Sequence, residues 1–421
     1  MAERVIFHVD VNSAFLSWTA AYRVKVLGES FDLRDVPSVI GGDRESRKGI
    51  VLAKSTPAKR YGVQTGEPIG IALQKCPNLI VAPADYRLYV DASRKFISVL
   101  RDFTPEVEQF SIDEAWADMT GTERLYGSPL AAAELIRQRM REELGFTVNI
   151  GISNNKLLAK MAGDLEKPDK IHTMFPEEIE RKLWPLPVRE LFLVGRATEK
   201  KLRDMGIYTI GDLARADPAL ISRRLHKPGM ILWHSANGRC SDQIRSVPQA
   251  NQSYGNSMTM PADVTDRQAA CQVLLSLCET VGMRMRRDGQ KGRCVSVHIR
   301  TADFQDSGHQ RRLESVTDVT EELYRTACAL FDELWDKKMP LRQLGVQVTQ
   351  ICEDSGRQFS LFEQGCGARY DRMTRMDNTV DALREKYGES AVFRARFAGQ
   401  PDRSLAGGLS KERRTGVTKP V

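Results

Sequence analysis

The sequence has 421 residues, of which 41% are hydrophobic and 28% are charged, and its formal net charge is +7. This length fits two or more domains that each bury a core, and the positive charge favours a polyanionic partner. No apolar run approaches the roughly 18 residues that span a bilayer, and no secretion signal or C-x-x-C pair is present, so the sequence argues against a membrane protein and predicts a reduced, cytoplasmic one.

The first predicted element is an apolar, β-branched strand over Arg4–Val11, which carries Asp10 near its end. A helix is predicted directly after it, over Ser13–Leu27. Buried strands of sheets that carry helices have this composition, and functional sites are built at the ends of such strands. Asp10 is therefore a candidate site residue.

An inserted segment from about Ser13 to Pro83 contains short strands and connections rich in Gly and Pro. Within it a helix begins on Pro57 and places Lys59 on its first turn. A cation there interacts unfavourably with the positive end of the helix dipole. A nearby anion such as a nucleoside triphosphate would offset this repulsion. A solvated basic face is the alternative.

The stretch after a predicted helix over Tyr86–Phe103 delivers two adjacent carboxylates, Asp113 and Glu114, to one place. Strands are predicted on either side of them, over Glu106–Ile112 and Glu114–Met119. Neighbours on a strand face opposite sides, so both acids can serve one site only where a strand begins, ends or twists sharply. Two close carboxylates repel each other unless a cation pairs with them, and oxygen ligands suit Mg²⁺. A surface acidic pair at a turn is the alternative.

A helix over Ser128–Leu144 and a strand over Thr147–Ile152 complete a pattern that approximates the split β-α-β-β-α-β unit. In that unit the first and third strands are neighbours, which would bring Asp10 to Asp113 and Glu114. Three carboxylates around two metal ions about 3.5–4 Å apart are the arrangement of polymerase-type nucleotidyl transfer.

Basic helices follow this unit. Lys156, Lys160 and Lys167 share one face of a predicted helix, with their cations pointing outward. Between Leu193 and Leu213 the pattern is a helix, a glycine-containing turn and a second helix, which suits non-specific contacts to phosphates. A generic pair of antiparallel helices is the alternative.

A second, smaller α/β domain is predicted over Met258–Ile351, after a polar linker at Gln243–Gln252. From Glu353 the chain is polar and tail-like, with one short helix predicted within Asp377–Phe397. The apolar and aromatic residues of Gln358–Phe362 have no core to join there, so they favour the groove of a partner. Docking on the protein itself is the alternative.

Three motifs follow one another in the sequence: Val9–Asn12, Ser111–Ala115, and Gly151–Lys156 continued to Lys167-Pro168. In this order they resemble the Y-family translesion DNA polymerases, and among them the bacterial DNA polymerase IV branch. The resemblance runs from about residue 4 to 362 and implies an α+β multidomain fold. Its parts would be a ferredoxin-like (split β-α-β) palm over 1–12 and 86–175, inserted fingers over 13–85, a helical thumb with a helix-hairpin-helix over 176–242, a linker over 243–250, an α/β little finger over 251–352, and a C-terminal tail over 353–421.

The resemblance also implies the site residues. Asp10, Asp113 and Glu114 would hold two Mg²⁺ ions together with the backbone carbonyl of Val11. The implied nucleotide contacts are Phe15, an aromatic steric gate against the 2′-hydroxyl, and the triphosphate contacts Thr56, Lys59 and Lys167.

Three positions depart from the family pattern. Thr56 stands where a tyrosine is usual, so a hydroxyl contact to the triphosphate is shortened. Asn12–Ala14 is less aromatic than usual, which would widen the floor of the nucleotide pocket. Leu193 replaces the first of two glycines in the thumb hairpin, which puts the phosphate contact of that hairpin in question.

The tail carries a further implied interaction. Gln358, Leu361 and Phe362 match the pentapeptide that binds the bacterial sliding clamp. The expected partners are therefore this clamp, primer-template DNA and deoxynucleoside triphosphates, with the protein acting as a monomer away from membranes.

The activity implied is template-directed, low-fidelity DNA synthesis across damaged bases, in DNA repair and the SOS response to DNA damage. Nothing in the sequence resembles a proofreading nuclease. One alternative is a catalytically inert relative that recruits partners to the clamp, but this chain keeps all three acids. A nucleotide cyclase is another, but it leaves the basic C-terminal half without a purpose.

Overall fold

The computed structural model describes residues 4–42, 49–240, 243–246, 250–336, 338–353, 366–388 and 391–397. They fall into two compact units, one made mainly of residues before position 249 and the other mainly of residues from 249 onward. No helix in these ranges is long and apolar enough to cross a membrane.

The first unit contains eight strands and eleven α-helices among the described residues. The strands are β1 (Ile6–Val11), β2 (Ser38–Gly41), β3 (Val51–Lys54), β4 (Ile80–Pro83), β5 (Val107–Gln109), β6 (Glu114–Asp118), β7 (Val148–Ser153) and β8 (Ile171–Thr173). The helices are α1 (Ala14–Lys25), α2 (Thr56–Arg60), α3 (Ile69–Lys75), α4 (Tyr86–Phe103), α5 (Glu123–Tyr126), α6 (Pro129–Arg139), α7 (Lys156–Asp164), α8 (Ile179–Lys182), α9 (Arg196–Arg203), α10 (Ile210–Arg215) and α11 (Pro218–Ala236).

A five-stranded sheet with the order β5-β6-β1-β7-β8 forms the centre of this unit. All six residues of β1 are buried, and the strand pairs antiparallel with β6 on one side and β7 on the other. The predicted neighbour relation between the first strand and the strand that begins at Glu114 is therefore confirmed. A separate three-stranded sheet, β3-β2-β4, lies within the predicted insertion.

Two predicted elements end differently in the structure. The strand predicted over Glu106–Ile112 stops at Gln109, because the amides of Phe110 and Ser111 both turn back to the carbonyl of Glu114. The helix predicted over Ser128–Leu144 changes to a π-helix at Met140.

Helix α7 lies unusually close to β7. A Cβ atom at Gly151 would stand 1.9 Å from the carbonyl oxygen of Ala159 and 2.3 Å from the amide nitrogen of Gly163. Only glycine permits this approach. The face of α7 that carries Lys156 and Lys160 consequently packs against the sheet, and both lysines are buried, with 5% and 8% of their surface exposed. The prediction that these two cations point outward was wrong.

The predicted pair of basic helices is present as α9 and α10. The chain turns between them at Gly206, which has a φ of 78°, and α10 begins with a capping box between Thr209 and Asp212. Leu202, Ile210 and other apolar residues of the hairpin join one core.

The second unit is a four-stranded antiparallel sheet with the order β11-β10-β12-β9, packed against helices. Its elements are β9 (Ser253–Val264), α12 (Arg267–Arg287), β10 (Gln290–Thr301), β11 (Asp306–Thr317), α13 (Thr320–Leu334), β12 (Leu341–Glu353) and α14 (Cys366–Tyr387). The last helix was predicted within Asp377–Phe397, but it begins at Cys366 and ends at Tyr387.

Candidate active site

Three carboxylates meet at one end of the β1–β6 pair. Asp10 lies directly opposite Glu114 in the antiparallel register. Asp113 comes just before β6, and its carbonyl accepts a hydrogen bond from the amide of Val11 at 3.0 Å. Because Asp113 stands outside the regular strand, the alternation of strand side chains does not force the two adjacent acids to opposite faces.

The electrostatics of Asp10 and Asp113 favour a bound cation. Burial raises the pKa of Asp10, although Lys167 forms an ion pair with its carboxylate. Burial also raises the pKa of Asp113, and the charges of Asp10 and Glu114 add to this, against a 2.6 Å hydrogen bond from the hydroxyl of Ser111. A cation would relieve the repulsion between these acids.

Glu114 is held differently. Its Oε2 atom accepts hydrogen bonds from His8 Nε2 at 3.1 Å and from Lys160 Nζ at 2.5 Å. Burial alone would raise the pKa of Glu114, but these two contacts outweigh it and lower the pKa to about 2. The carboxylate is therefore ionised and oriented. The sequence interpretation missed His8, whose position two residues before Asp10 on the same strand face could have indicated it.

The donor set fits a hard divalent cation. Carboxylate oxygens from two strands and the backbone at Val11 are the ligands that Mg²⁺ prefers. Within the described ranges no three His, Cys, Asp or Glu side chains stand in the arrangement of a formed metal site. The carboxylates of Asp10 and Glu114 are paired with Lys167 and Lys160 instead.

A cavity of about 240 Å³ opens beside Asp10. The cavity brings three of the four predicted nucleotide contacts together: Thr56, Lys59 and Lys167 all line it. Lys59 is exposed, and no ion-pair partner for it occurs among the described residues. Its charge is thus available to an anion in the cavity. Arg34 also lines the cavity, where it pairs with Asp32, and no sequence pattern indicated it.

Phe15 lies near the cavity but does not line it. Its ring stacks on Tyr89 with the centroids 4.5 Å apart and meets the edge of Tyr86 at 6.4 Å. These contacts fix the plane of the ring. Its role as a steric gate stays a prediction.

A buried amide network positions the turn that carries Lys167. The side-chain Nδ2 of Asn12 donates to Asn149 Oδ1 at 3.0 Å, and Asn12 Oδ1 accepts from the backbone N–H of Asp169 at 2.9 Å. Asn149 is fully buried and donates to the carbonyl of Glu166 at 2.7 Å. Asn12 thus links β7 to the turn that carries Lys167.

The predicted clamp contacts Gln358, Leu361 and Phe362 lie outside the described residues. They stay a prediction.

Comparisons with known proteins agree with this geometry. Models of the impB/mucB/samB family match residues 9–164, those of its C-terminal domain match residues 251–361, and those of its HHH motif match residues 176–207. The chain belongs to the impB/mucB/samB family of Y-family DNA polymerases. The resemblance and the fold class that it implied are thereby confirmed.

Relatives in this family extend over nearly the whole chain. A DNA polymerase IV of Clostridium acetobutylicum is 44% identical over 392 residues, which cover 93% of this chain and 98% of the relative. A DNA polymerase IV 2 of Bacillus subtilis is 35% identical over 94% of this chain and 95% of the relative. A solved Y-family DNA polymerase chimera shares the fold at 23% identity with a TM-score of 0.71, over 83% of this chain and 99% of the chimera.

Proposed function

We propose that this Y-family member is a DNA-directed DNA polymerase that performs template-directed, low-fidelity synthesis across damaged bases. The observation that carries the proposal is the meeting of Asp10, Asp113 and Glu114 beside a cavity lined by Lys59 and Lys167. Carboxylates next to cations are what a site needs in order to bind both a metal ion and a triphosphate.

The roles of the residues follow from their places. Asp10, Asp113 and Glu114, with the Val11 carbonyl, would hold two Mg²⁺ ions. When bound, such ions activate the primer 3′-hydroxyl and stabilise the charge of the leaving pyrophosphate. Lys59 and Lys167 would bind the phosphates and offset the negative charge that develops on them. Lys167 would exchange its pairing with Asp10 for the phosphates, because a metal ion would then neutralise that acid.

Sugar selection and triphosphate binding would involve two further residues. Phe15, held flat against Tyr89, would exclude a 2′-hydroxyl. The hydroxyl of Thr56 lines the cavity and would contact the triphosphate. It reaches less far than the tyrosine usual in the family, so Lys59 and Lys167 would carry most of the phosphate binding.

Primer extension tests the proposal. We expect wild-type protein with Mg²⁺ and four deoxynucleoside triphosphates to extend a primer, and Asp113→Asn to lose at least about a hundredfold in rate because it removes a ligand charge. Asp118→Asn is the matched control, since Asp118 lies at the other end of the same strand. Loss in both variants, or in neither, contradicts the site assignment. DNA binding without extension by wild type would favour an inert clamp-recruiting scaffold.

The remaining partners are also proposals. The protein would work as a cytoplasmic monomer on primer-template DNA, with the second unit and the α9–α10 hairpin contacting phosphates without reading sequence. Gln358, Leu361 and Phe362 would bind the sliding clamp. Alanine at Leu361 and Phe362 should abolish capture by the clamp and leave extension without the clamp intact, whereas retained capture would exclude the pentapeptide.

A further inference from the structure

Two cysteines on neighbouring helices of the second unit face each other. Cys271 lies on α12 and Cys328 on α13, 57 positions apart in sequence, with 3.5 Å between their Sγ atoms. The other thiols described in this unit, such as Cys278, lack a cysteine neighbour at this distance. The sequence, which has no C-x-x-C pair, does not indicate this pair, because its two members are 57 positions apart.

The surroundings of the pair are polar on one side. Arg267 lies next to Cys271 and forms a bidentate ion pair with Asp332, with both contacts at 2.6 Å. Tyr324 contacts the thiol of Cys328, and its hydroxyl accepts a 2.9 Å hydrogen bond from Arg396. Two guanidinium groups thus stand near two thiols, with one carboxylate opposing them. Cationic surroundings favour the thiolate, which is the reactive form of cysteine.

The two thiols differ in character. A hydrogen bond from Cys328 lowers the pKa of Cys271 to about 7, and the charge of Arg267 contributes to this against burial. The pKa of Cys328 is raised by the same hydrogen bond and by burial. Cys271 accepts the hydrogen bond from Cys328 and lies beside Arg267, which favours Cys271 as the nucleophile and Cys328 as the residue that resolves it. Cys271 is 6% exposed and Cys328 is half-buried, so a small solute would reach the pair from the side of Cys328.

We propose that Cys271 and Cys328 are a site of reversible oxidation, a dithiol that hydrogen peroxide or another small peroxide converts to a disulfide between α12 and α13. The Cys271 thiolate attacks one peroxide oxygen, breaks the O–O bond and becomes a sulfenic acid as hydroxide leaves and takes up a proton. The Cys328 sulfur then attacks the Cys271 sulfur, and the sulfenic oxygen leaves as water. Two thiols and one hydrogen peroxide thus give one disulfide and two waters, and an organic peroxide gives one alcohol and one water.

This site is independent of the polymerase proposal. It lies in the second unit and uses no residue of the carboxylate cluster or of its cavity. A polymerase that acts on damaged DNA would meet peroxides in the conditions that damage DNA.

Peptide mapping of the full chain tests the proposal. Reduced protein is treated with hydrogen peroxide, alkylated and digested with trypsin, which releases Cys271 within residues 268–284 and Cys328 within residues 326–337. We expect these two peptides to be linked, and the link to disappear with dithiothreitol. The disulfide link should form at a peroxide concentration about tenfold lower than the concentration that oxidises Cys240. Cys240 is a half-buried thiol without a cysteine neighbour.

Single variants assign the link. Cys271→Ser and Cys328→Ser should each abolish it. Cys278→Ser is the matched control, because Cys278 lies in the same peptide as Cys271 but is fully buried, with a raised pKa. The link should persist in this variant. Wild-type protein in which Cys271 and Cys328 both stay open to alkylation after peroxide treatment would overturn the proposal, as would a link that depends on Cys278.

Discussion

The carboxylate of Glu114 shows how one residue of the site depends on its donors. His8 and Lys160 together outweigh the effect of burial on its pKa. Both donors are buried behind it, on β1 and α7. Removal of a side chain that hydrogen-bonds to a metal ligand commonly lowers the metal affinity by roughly 10- to 100-fold.

We expect His8→Leu and Lys160→Met to raise the Mg²⁺ concentration for half-maximal primer extension about tenfold each. The acid limb of the pH–rate profile should move to higher pH, because without a donor the pKa of Glu114 rises towards the value that burial favours. Magnesium titrations at several pH values measure both effects.

His8→Gln is the matched control for this prediction, since its amide can still donate to Glu114. Near wild-type behaviour of His8→Gln together with the loss in His8→Leu supports a positioning role. An unchanged magnesium dependence in His8→Leu would show that the contact is structural only.

The ring of Phe15 is held in place by its stacking on Tyr89. Exchange of Phe15 for Ala removes the ring that Tyr89 holds in plane, so ribonucleotide incorporation should rise at least about tenfold relative to deoxynucleotide incorporation. Single-nucleotide insertion kinetics measure the ratio. Tyr86→Phe leaves both rings in place and should keep wild-type selection. Unchanged selection in Phe15→Ala would refute the steric gate.

At the scale of elements, the α9–α10 hairpin carries a strained position. Leu193 has a φ of 74° and its side chain is 66% exposed, so it adopts a conformation that suits glycine and gains little burial in return. A left-handed conformation costs a non-glycine residue roughly 1–2 kcal/mol. Leu193 therefore occupies a backbone conformation that a glycine would adopt without this cost.

We expect Leu193→Gly to raise the free energy of unfolding of the first unit by about 1 kcal/mol. It should also tighten DNA binding, because it exposes the backbone amides of the hairpin to phosphate. Urea unfolding and fluorescence titration with primer-template DNA measure the two effects. Leu193→Ala keeps the Cβ atom and should show no gain in stability. Equal stabilisation by Ala and Gly would mean that side-chain exposure, and not strain, is relieved.

Helices and strands whose bounds depend on residues within or next to them were predictable from the sequence. Helix α4 has the predicted bounds because the side chain of Asp85 caps its first amides and its apolar residues follow the helical period. Strand β1 is apolar enough to be recognised alone. The end of β5 and the direction of Lys156 and Lys160 were not predictable, because they depend on where the chain turns back and on how closely Gly151 lets α7 approach. The position of Arg34 at the cavity was not predictable either, because it depends on how distant segments of the chain pack together.

At the scale of the whole molecule, α14 lies beyond the residues that the family models match, which end at 361. It docks on the second unit through buried charges. The carboxylate of Asp377 accepts hydrogen bonds from the backbone amide of Thr320 at 2.8 Å and from the guanidinium of Arg394 at 3.1 Å. Arg394 also donates to Glu279 at 2.6 Å. From its polar composition the sequence predicts a tail-like segment with one short helix here, and it does not indicate that the charged residues are buried. Only their partners show that they are buried.

Breaking this network should destabilise the second unit. Asp377→Asn leaves Arg394 with less compensating charge in a buried setting, which costs on the order of 3 kcal/mol. We expect the amides of α14 to exchange with deuterium faster, and the second unit to unfold at lower urea concentration. Asp371→Asn, on an exposed turn of the same helix, should change neither. Unaltered exchange in Asp377→Asn would show that apolar contacts alone hold the helix.

The central position of β1 also determines when the protein can fold during its own synthesis. This strand is translated before both of its hydrogen-bonded partners, which are Glu114–Asp118 on one side and Val148–Ser153 on the other. The strand must therefore remain unpaired, or be shielded by a chaperone, until the chain as far as Ser153 has been made. Asp10 is translated before Asp113, Glu114 and Lys167, so a nascent chain interrupted before Lys167 lacks the complete site.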